Sequence, residues 1–355
     1  MSLLPPAAET VARALDEFPA LRGPSMAPLT GGLINHSFAV TAEDGDYVLQ
    51  RVHPVFAPEV HENIAAVTRR LHERGEPSPR LLVSRSGRAW ADLGADGIWR
   101  VMTRLPGVSF DRVQSAAQAH AAGVMVGRFH AALDGLGHTF QAVRAGVHDT
   151  PAHLRTLALA LAEHTGHRLF PEVAELAGQI VAGYAALPAP EAVPLRVCHG
   201  DLKFNNLLFS GTGPEAQVVA AGLVDLDTVG RMPLHHELGD AWRSWCNPGG
   251  EDQTAAGFDM EVFAASLAGW SAGSAGSRLV LTGEERRALV HGVEWISLEL
   301  AARFAADALR ENYFGWDRGR FPGAGEHNLL RAQGQWAMHR AALQAREARA
   351  TLLLG

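Results

Sequence analysis

The sequence predicts an α+β chain of two unequal lobes, a small mostly-β lobe over residues 1–104 and a larger helical lobe over residues 105–355. Three patterns carry that expectation. Residues 29–101 hold short alternating apolar and polar runs separated by Gly-containing turns, with one helical stretch among them. From Ala116 onward, apolar residues recur at helical spacing in alanine-rich segments. Between residues 195 and 229 the helices give way to short strands around a polar loop.

Taken in order, Phe38 and Val40, the turn Asp44-Gly45-Asp46, and Tyr47-Val48-Leu49 read as a hairpin. Val60, Ile64, Val67 and Leu71 have helical spacing over residues 58–71, and Gly75 with Pro77 stops the helix. Further strands are expected between Arg80 and Val101, with turns at Ser86-Gly87 and Asp96-Gly97. Leu105-Pro106-Gly107 breaks that pattern and places the lobe boundary. Val124, Phe129 and Leu133 mark one helix of the second lobe, and Leu154 to Leu161 another. Leu195 to Cys198, Leu207 to Phe209 and Val218 to Val224 read as strands, the last ending at Asp225. Thr282-Gly-Glu-Glu285 is a capping box ahead of a long helix with Leu289, Val293, Ile296, Leu300 and Phe304 on one face.

A chain of 355 residues is too long for one ordinary core and suits two. Lys and Arg number 31 against 38 Asp and Glu, a net charge of −7. That balance gives no electrostatic reason to bind nucleic acid or an anionic membrane. A hydrophobic content of 47% excludes wholesale disorder, and no apolar run approaches the ~20 residues of a membrane span. The opening MSLLPPAAETVARAL has neither the basic nor the apolar segment of a signal peptide. Two cysteines, Cys198 and Cys246, make no disulfide framework, so a reducing cytoplasm is expected. No obligate protein partner is evident. Lys203 is the only lysine, which leaves every other cationic role to arginine.

The most informative stretch is His199-Gly-Asp201-Leu-Lys203-Phe-Asn205-Asn206. Phosphoryl transfer to a hydroxyl needs a carboxylate to orient the hydroxyl and take its proton. It also needs a cation for the transferring group and oxygen ligands for Mg²⁺. Asp201, Lys203 and Asn206 supply those groups at the spacing of an H-x-D-x-K-x-x-N catalytic loop, and Asp225 stands where a second metal-binding carboxylate belongs. A solvated polar turn is the plain alternative, because Gly and Asn are ordinary turn residues; the flanking strands weigh against it. Asp227 is either another metal ligand or a structural acceptor, the second being preferred. Adjacent His235 and His236 with Glu237 and Cys246 lack zinc-site spacing, and Cys198 beside His199 does not read as a nucleophile pair. Trp242, Trp245 and Trp270 read as core.

His199-Gly200-Asp201 with Asn206 and Asp225 resembles the aminoglycoside phosphotransferase/choline kinase superfamily. Gly32-Leu-Ile-Asn35, Tyr47-Val-Leu-Gln-Arg51, Glu62-Asn-Ile64, Asp225-Leu-Asp-Thr228, Gly239-Asp-Ala241 and the tail from Arg303 to Arg331 bring it closest to the N-acetylhexosamine 1-kinase family. The resemblance covers about residues 31 to 335. It implies a protein-kinase-like fold, ATP and Mg²⁺ as cofactors, and a small-molecule acceptor, in particular the anomeric hydroxyl of an N-acetylhexosamine. It places Asp201 and Lys203 as catalytic and Asn206 and Asp225 on the metal. Gly31, Gly32 and Asn35 would cover the phosphates, and the backbone of Met102, Thr103 and Leu105 would hold adenine. Glu62 matches the helix glutamate that pairs with a strand lysine, although a solvent-facing residue is an equal reading. That strand lysine is missing here. Gln50 stands at its register and Arg51 carries charge, and because neighbours on a strand face opposite sides only one can serve; Arg51 is narrowly preferred. Arg303 and Tyr313 are candidate acceptor contacts. Balanced acidic and basic residues in the tail favour a neutral acceptor over a polycation.

Overall fold

The N-terminal sheet contains five antiparallel strands, β1 (Ser25–Pro28), β2 (His36–Ala42), β3 (Gly45–Val52), β4 (Ala91–Asp92) and β5 (Ile98–Thr103), in spatial order β1-β2-β3-β5-β4. The computed structural model describes residues 5–29, 35–142, 146–189, 191–210 and 219–355. Strand pleating sorts β3 into two faces. Tyr47 and Leu49 turn toward helix α1 (Ala8–Asp16) and form a small core with Val11, Phe18, Val40, Trp99 and Val101. Val48, Gln50 and Val52 face the other way. Pairing places Gln50 opposite Ser37 on β2 and opposite Arg100 on β5. The expected hairpin is present, with Ala42 opposite Gly45, so its tight turn is Glu43-Asp44, one residue earlier than the expected Asp44-Gly45-Asp46.

Helix α2 (Val60–Glu73) buries Ile64, Val67 and Leu71, three of the four apolar positions that defined it in the sequence, in the main core of the larger lobe. Beyond β5 lie α3 (Ala116–Leu133), α4 (Thr150–Glu163) and α5 (Phe170–Ala186). Four short strands follow as two antiparallel pairs: β6 (Leu195–Cys198) with β9 (Gly230–Pro233), and β7 (Leu207–Ser210) with β8 (Val219–Leu223). Helices α6 (Leu234–Trp245), α7 (Met260–Ser274), α8 (Gly283–Arg310), α9 (Ala324–Gln344) and α10 (Arg346–Leu354) complete the chain. The main core runs through Phe129, Phe204, Leu226, Trp242, Trp270 and Val293, so the anticipated core tryptophans are buried there. Each fully buried side chain of this size contributes roughly 1.5–3 kcal/mol. A second core joins α4 and α5 to α8 and α9 through Leu157, Ile180, Leu298 and Phe304. The capping box at Thr282 and Glu285 forms as its spacing requires. No helix among the described residues is long and apolar enough to cross a membrane.

Candidate active site

The loop after β6 is anchored from beneath by one buried carboxylate. Glu237 on α6 accepts from the backbone N–H of His199 at 2.7 Å and of Gly200 at 2.9 Å. Trp270 Nε1 donates to His130 Nδ1 at 3.0 Å, so His130 carries its proton on Nε2 and donates to Glu237 at 3.2 Å. Burial pushes the Glu237 carboxyl up, but the His130 hydrogen bond and the nearby imidazoles and amides outweigh it and hold the group below its ordinary value. Gly200 has φ +85°, and a Cβ there would lie 2.6 Å from the Thr228 carbonyl oxygen, so only glycine fits. His199 Nε2 donates to the Val224 carbonyl at 2.8 Å and ties this loop to the next.

On that support, Asp201 presents a carboxylate about one quarter exposed, 3.1 Å from Lys203 Nζ. Burial alone would pull the Lys203 ammonium down, but Asp201, Glu251 and Asp240 together raise it. Asn206 Nδ2 donates to the Asp201 carbonyl at 2.8 Å, which leaves its Oδ1 for a cation. Asp225 follows β8 in a left-handed conformation, φ 65° and ψ 55°, a strain of roughly 1–2 kcal/mol for an L-residue. Burial, then the charges of Asp227 and Asp201, push its carboxyl up to about 6. A carboxyl crowded by two others is a donor set that a hard divalent cation would neutralise, and the neutral oxygen of Asn206 completes it. The residues present therefore fit Mg²⁺.

The cation that sequence reasoning missed is Arg100. Its guanidinium, 1% exposed, makes a bidentate pair with Asp227, Nη1 to Oδ1 and Nη2 to Oδ2, the latter at 2.9 Å. Arg100 Nε donates to Gln50 Oε1 at 2.9 Å, and Gln50 Nε2 donates to Ser37 at 2.9 Å. Asn35 Nδ2 adds a bond to Asp227 at 2.8 Å, while its Oδ1 accepts from the His53 N–H. Asp227 is thus the structural acceptor of the pair of readings, taking side-chain rather than backbone donors, and it joins the sheet to the loop that carries Asp225. Gln50 shares this face. Arg51 lies on the opposite face with Tyr47 and Leu49, and its guanidinium lies beside Gly97. Glu62 is exposed on α2, whereas its neighbour His61 is buried against Trp90. Burial and the Arg100 charge push His61 down to about 4. Helix α2 therefore offers Arg100 a neutral imidazole, and the neutralising carboxylate comes from the other lobe. Removing one member of a buried pair leaves an uncompensated charge. Arg100→Met is expected to lower unfolding stability by about 3–5 kcal/mol, with much of the loss recovered on adding Asp227→Asn, as read by urea denaturation.

The remaining anticipated residues are distributed as follows. Gly31 and Gly32 lie outside the described residues. The Thr103 N–H donates to the Arg80 carbonyl at 2.9 Å and the Arg104 N–H to the Asp46 carbonyl at 2.9 Å. Met102 is bridged to Leu81. The backbone of Leu105 has no such partner among the described residues, and its side chain packs on Gly222, where a Cβ would meet Leu105 Cδ1 at 2.6 Å. Arg303 lies over the Phe314 ring at 5.6 Å, and Tyr313 meets the same ring edge-on at 4.7 Å. Phe314 packs against the α8–α9 core, so both residues belong to that end of the helical lobe. The spatial cluster with metal-ligand spacing among the described residues is His130, Cys198 and Glu237, and the hydrogen bonds above account for it. Burial holds the Cys198 thiol well above its usual value, so it is no thiolate nucleophile.

A five-stranded sheet joined to a helical lobe, with a carboxylate, a lysine and an amide on the loop after β6, defines a kinase-like phosphotransferase. The chain belongs to the phosphotransferase enzyme family, whose model matches residues 25–274, and it is an enzyme that uses an alcohol group as phosphoryl acceptor. Solved structures share the fold. Amicoumacin kinase in complex with AMP-PNP, Ca²⁺ and amicoumacin has a TM-score of 0.63 at 13% identity, covering 94% of each chain. The microcompartment-associated aminopropanol kinase has a TM-score of 0.56 at 16% identity, covering 96% of this chain and 98% of that one. A choline/ethanolamine kinase family protein from Mesorhizobium loti has a TM-score of 0.53 at 18% identity, covering 96% and 99%.

Proposed function

We propose that the chain is a cytoplasmic ATP- and Mg²⁺-dependent kinase of a neutral small-molecule acceptor, with the anomeric hydroxyl of an N-acetylhexosamine as first choice. The observation that carries the chemistry is the Asp201 carboxylate, part exposed, paired with Lys203 and fixed on a loop that Glu237 anchors. Asp201 orients the acceptor hydroxyl and takes its proton as the oxygen attacks. Lys203 offsets charge that develops on the transferring group. Asn206 and Asp225 would hold Mg²⁺, which when bound shields the phosphate oxygens from the attacking hydroxyl. Leu105 offers unused backbone groups to adenine, and Gly31, Gly32 and Asn35 are assigned to the phosphates. Arg100, held by Asp227 and Gln50, fills the place of the missing strand lysine as a positioning residue. It fixes the metal loop against the sheet.

The choice of a neutral acceptor is supported by the two acids that act on Lys203 besides Asp201. Arg243, 2% exposed, binds Asp240 at 2.9 Å and Glu251 at 2.6 Å, so one guanidinium is shared by both carboxylates and offsets part of their charge. A polycation would find most of the negative charge there already engaged, whereas carboxylate oxygens with open lone pairs still accept from hydroxyls. A panel of N-acetylglucosamine, N-acetylgalactosamine, free hexoses, choline, homoserine and kanamycin tests this, with Mg²⁺-dependent ATP consumption as readout. Turnover is expected with the N-acetylhexosamines and not with choline or kanamycin. Robust kanamycin phosphorylation with no sugar activity would contradict the reading.

A further inference from the structure

A cavity of about 500 Å³ opens beside the catalytic loop, within the range of about 300–1,000 Å³ typical of small-molecule sites. Gly200 and Thr228 line one side. Val55, Phe56 and Val60 come from the chain entering α2, Met232 and His236 from β9 and α6, and the His148 ring lies against His236 with centroids 4.8 Å apart. We propose that this cavity is the acceptor chamber and that His148 and His236 select a neutral, hexose-sized ring by its hydroxyls, with an apolar face or acyl group of that ring on Val55, Phe56 and Val60. The inference rests on the kinase reading above and goes beyond it by assigning the chamber and its two selecting side chains.

The charges around the chamber are committed elsewhere. Asp149 caps α4 by accepting from the Ala152 N–H at 2.9 Å, and Asp227 holds Arg100. Arg231 donates to the Leu136 carbonyl at 2.7 Å and lies over the Phe140 ring. The imidazoles are differently placed. Neither ring nitrogen of His236 has a hydrogen-bond partner among the described residues. Burial, then His235 and His148 beside it, push its pKa down to about 2, so it stays neutral with one donor and one acceptor. Glu299, 1% exposed, accepts from Thr150 Oγ1 at 2.8 Å and from His148 Nδ1 at 3.1 Å. That carboxylate fixes the His148 ring and leaves Nε2 for a ligand. A donor–acceptor imidazole matches a sugar hydroxyl, which both gives and accepts, and offers an ammonium ion no counter-charge. Gly200 in the chamber wall adjoins Asp201 in the chain, and Asp240, one turn beyond His236 on α6, lies within electrostatic reach of both His148 and Lys203.

Calorimetric titration of the full chain with N-acetylglucosamine, choline and kanamycin, each in the presence of Mg²⁺ and a non-hydrolysable ATP analogue, tests the assignment. The wild type is expected to bind the sugar and neither cation. His148→Ala and His236→Ala should each weaken sugar binding about tenfold, the worth of one or two hydrogen bonds. Val55→Trp, a filling substitution at a half-exposed wall position, should abolish it. All three variants should keep the thermal shift produced by Mg²⁺ and ATP, and Val55→Trp carries the test if a histidine variant fails to fold. Unchanged sugar affinity in variants that keep the nucleotide shift would overturn the chamber and leave the kinase reading standing. So would choline or kanamycin binding that Val55→Trp removes. Absence of any nucleotide shift in the wild type would overturn both.

Discussion

Replacing Asp201 with asparagine is expected to lower phosphoryl transfer by about 10³-fold or more while Mg²⁺-dependent ATP binding stays near that of the wild type. The substitution keeps the shape of the side chain, and the loop's main anchors are backbone groups, the carboxylate adding only a 3.4 Å contact from Asn206 Nδ2. Glu237 holds the backbone at His199 and Gly200, and Asn206 bonds the Asp201 carbonyl. The lost function is acceptance of the hydroxyl proton, and such a base contributes typically 10²–10⁴-fold. Lys203 also loses the carboxylate 3.1 Å from its ammonium, which adds to the effect. Steady-state kcat beside a nucleotide thermal-shift titration separates the two quantities. A near-normal kcat in this variant would remove Asp201 from the mechanism.

Asp225→Ala is expected to abolish the Mg²⁺ dependence of nucleotide binding, and Asn206→Ala to weaken it less, because the first removes an anionic oxygen and the second a neutral one. Asp225 also gives this site a pH signature. Its folded-state carboxyl sits at about 6, above its ordinary range, because of burial and then the Asp227 and Asp201 charges. A raised acid stabilises the fold below its unfolded-state value of about 4, and that contribution is lost as pH rises through about 6. Mg²⁺ binds the carboxylate form, so the gain in Tm from Mg²⁺ and ATP is expected to be larger at pH 7.5 than at pH 5. In Asp225→Ala this difference should vanish. A variant that kept full Mg²⁺ dependence at both pH values would place the metal elsewhere.

What the sequence made legible were features carried by contiguous residues. The catalytic loop spans eight positions, and its chemistry depends on residue type and spacing alone. Helix α2 was readable because Ile64, Val67 and Leu71 share one face. The network around Arg100 was not readable, because its partners stand 50 and 127 positions away and strand register is set by pairing across the sheet. A charge in the centre of Ile98-Trp-Arg-Val-Met-Thr103 was the available signal. Favouring Arg51 weighed charge above register, and the pleat puts that residue with Tyr47 and Leu49. Glu62 shows the same sensitivity on a helix, where one position is a rotation of about 100° and His61 takes the inward place. Glu237 was legible only as a neighbour of two histidines. Its role as loop anchor depends on α6 packing beneath β6, which no local pattern encodes.

In the proposed reaction the Asp201 loop transfers a phosphoryl group from ATP to a hydroxyl of a neutral acceptor. Phosphorus NMR of a reaction containing the protein, ATP, Mg²⁺ and N-acetylglucosamine tests it most directly. A new resonance of an anomeric sugar phosphate, split by the C1 proton, is expected to appear with ADP and to be missing from the Asp201→Asn reaction. A spectrum showing only ADP and inorganic phosphate, or a phosphate ester that forms equally well with Asp201→Asn, would contradict it.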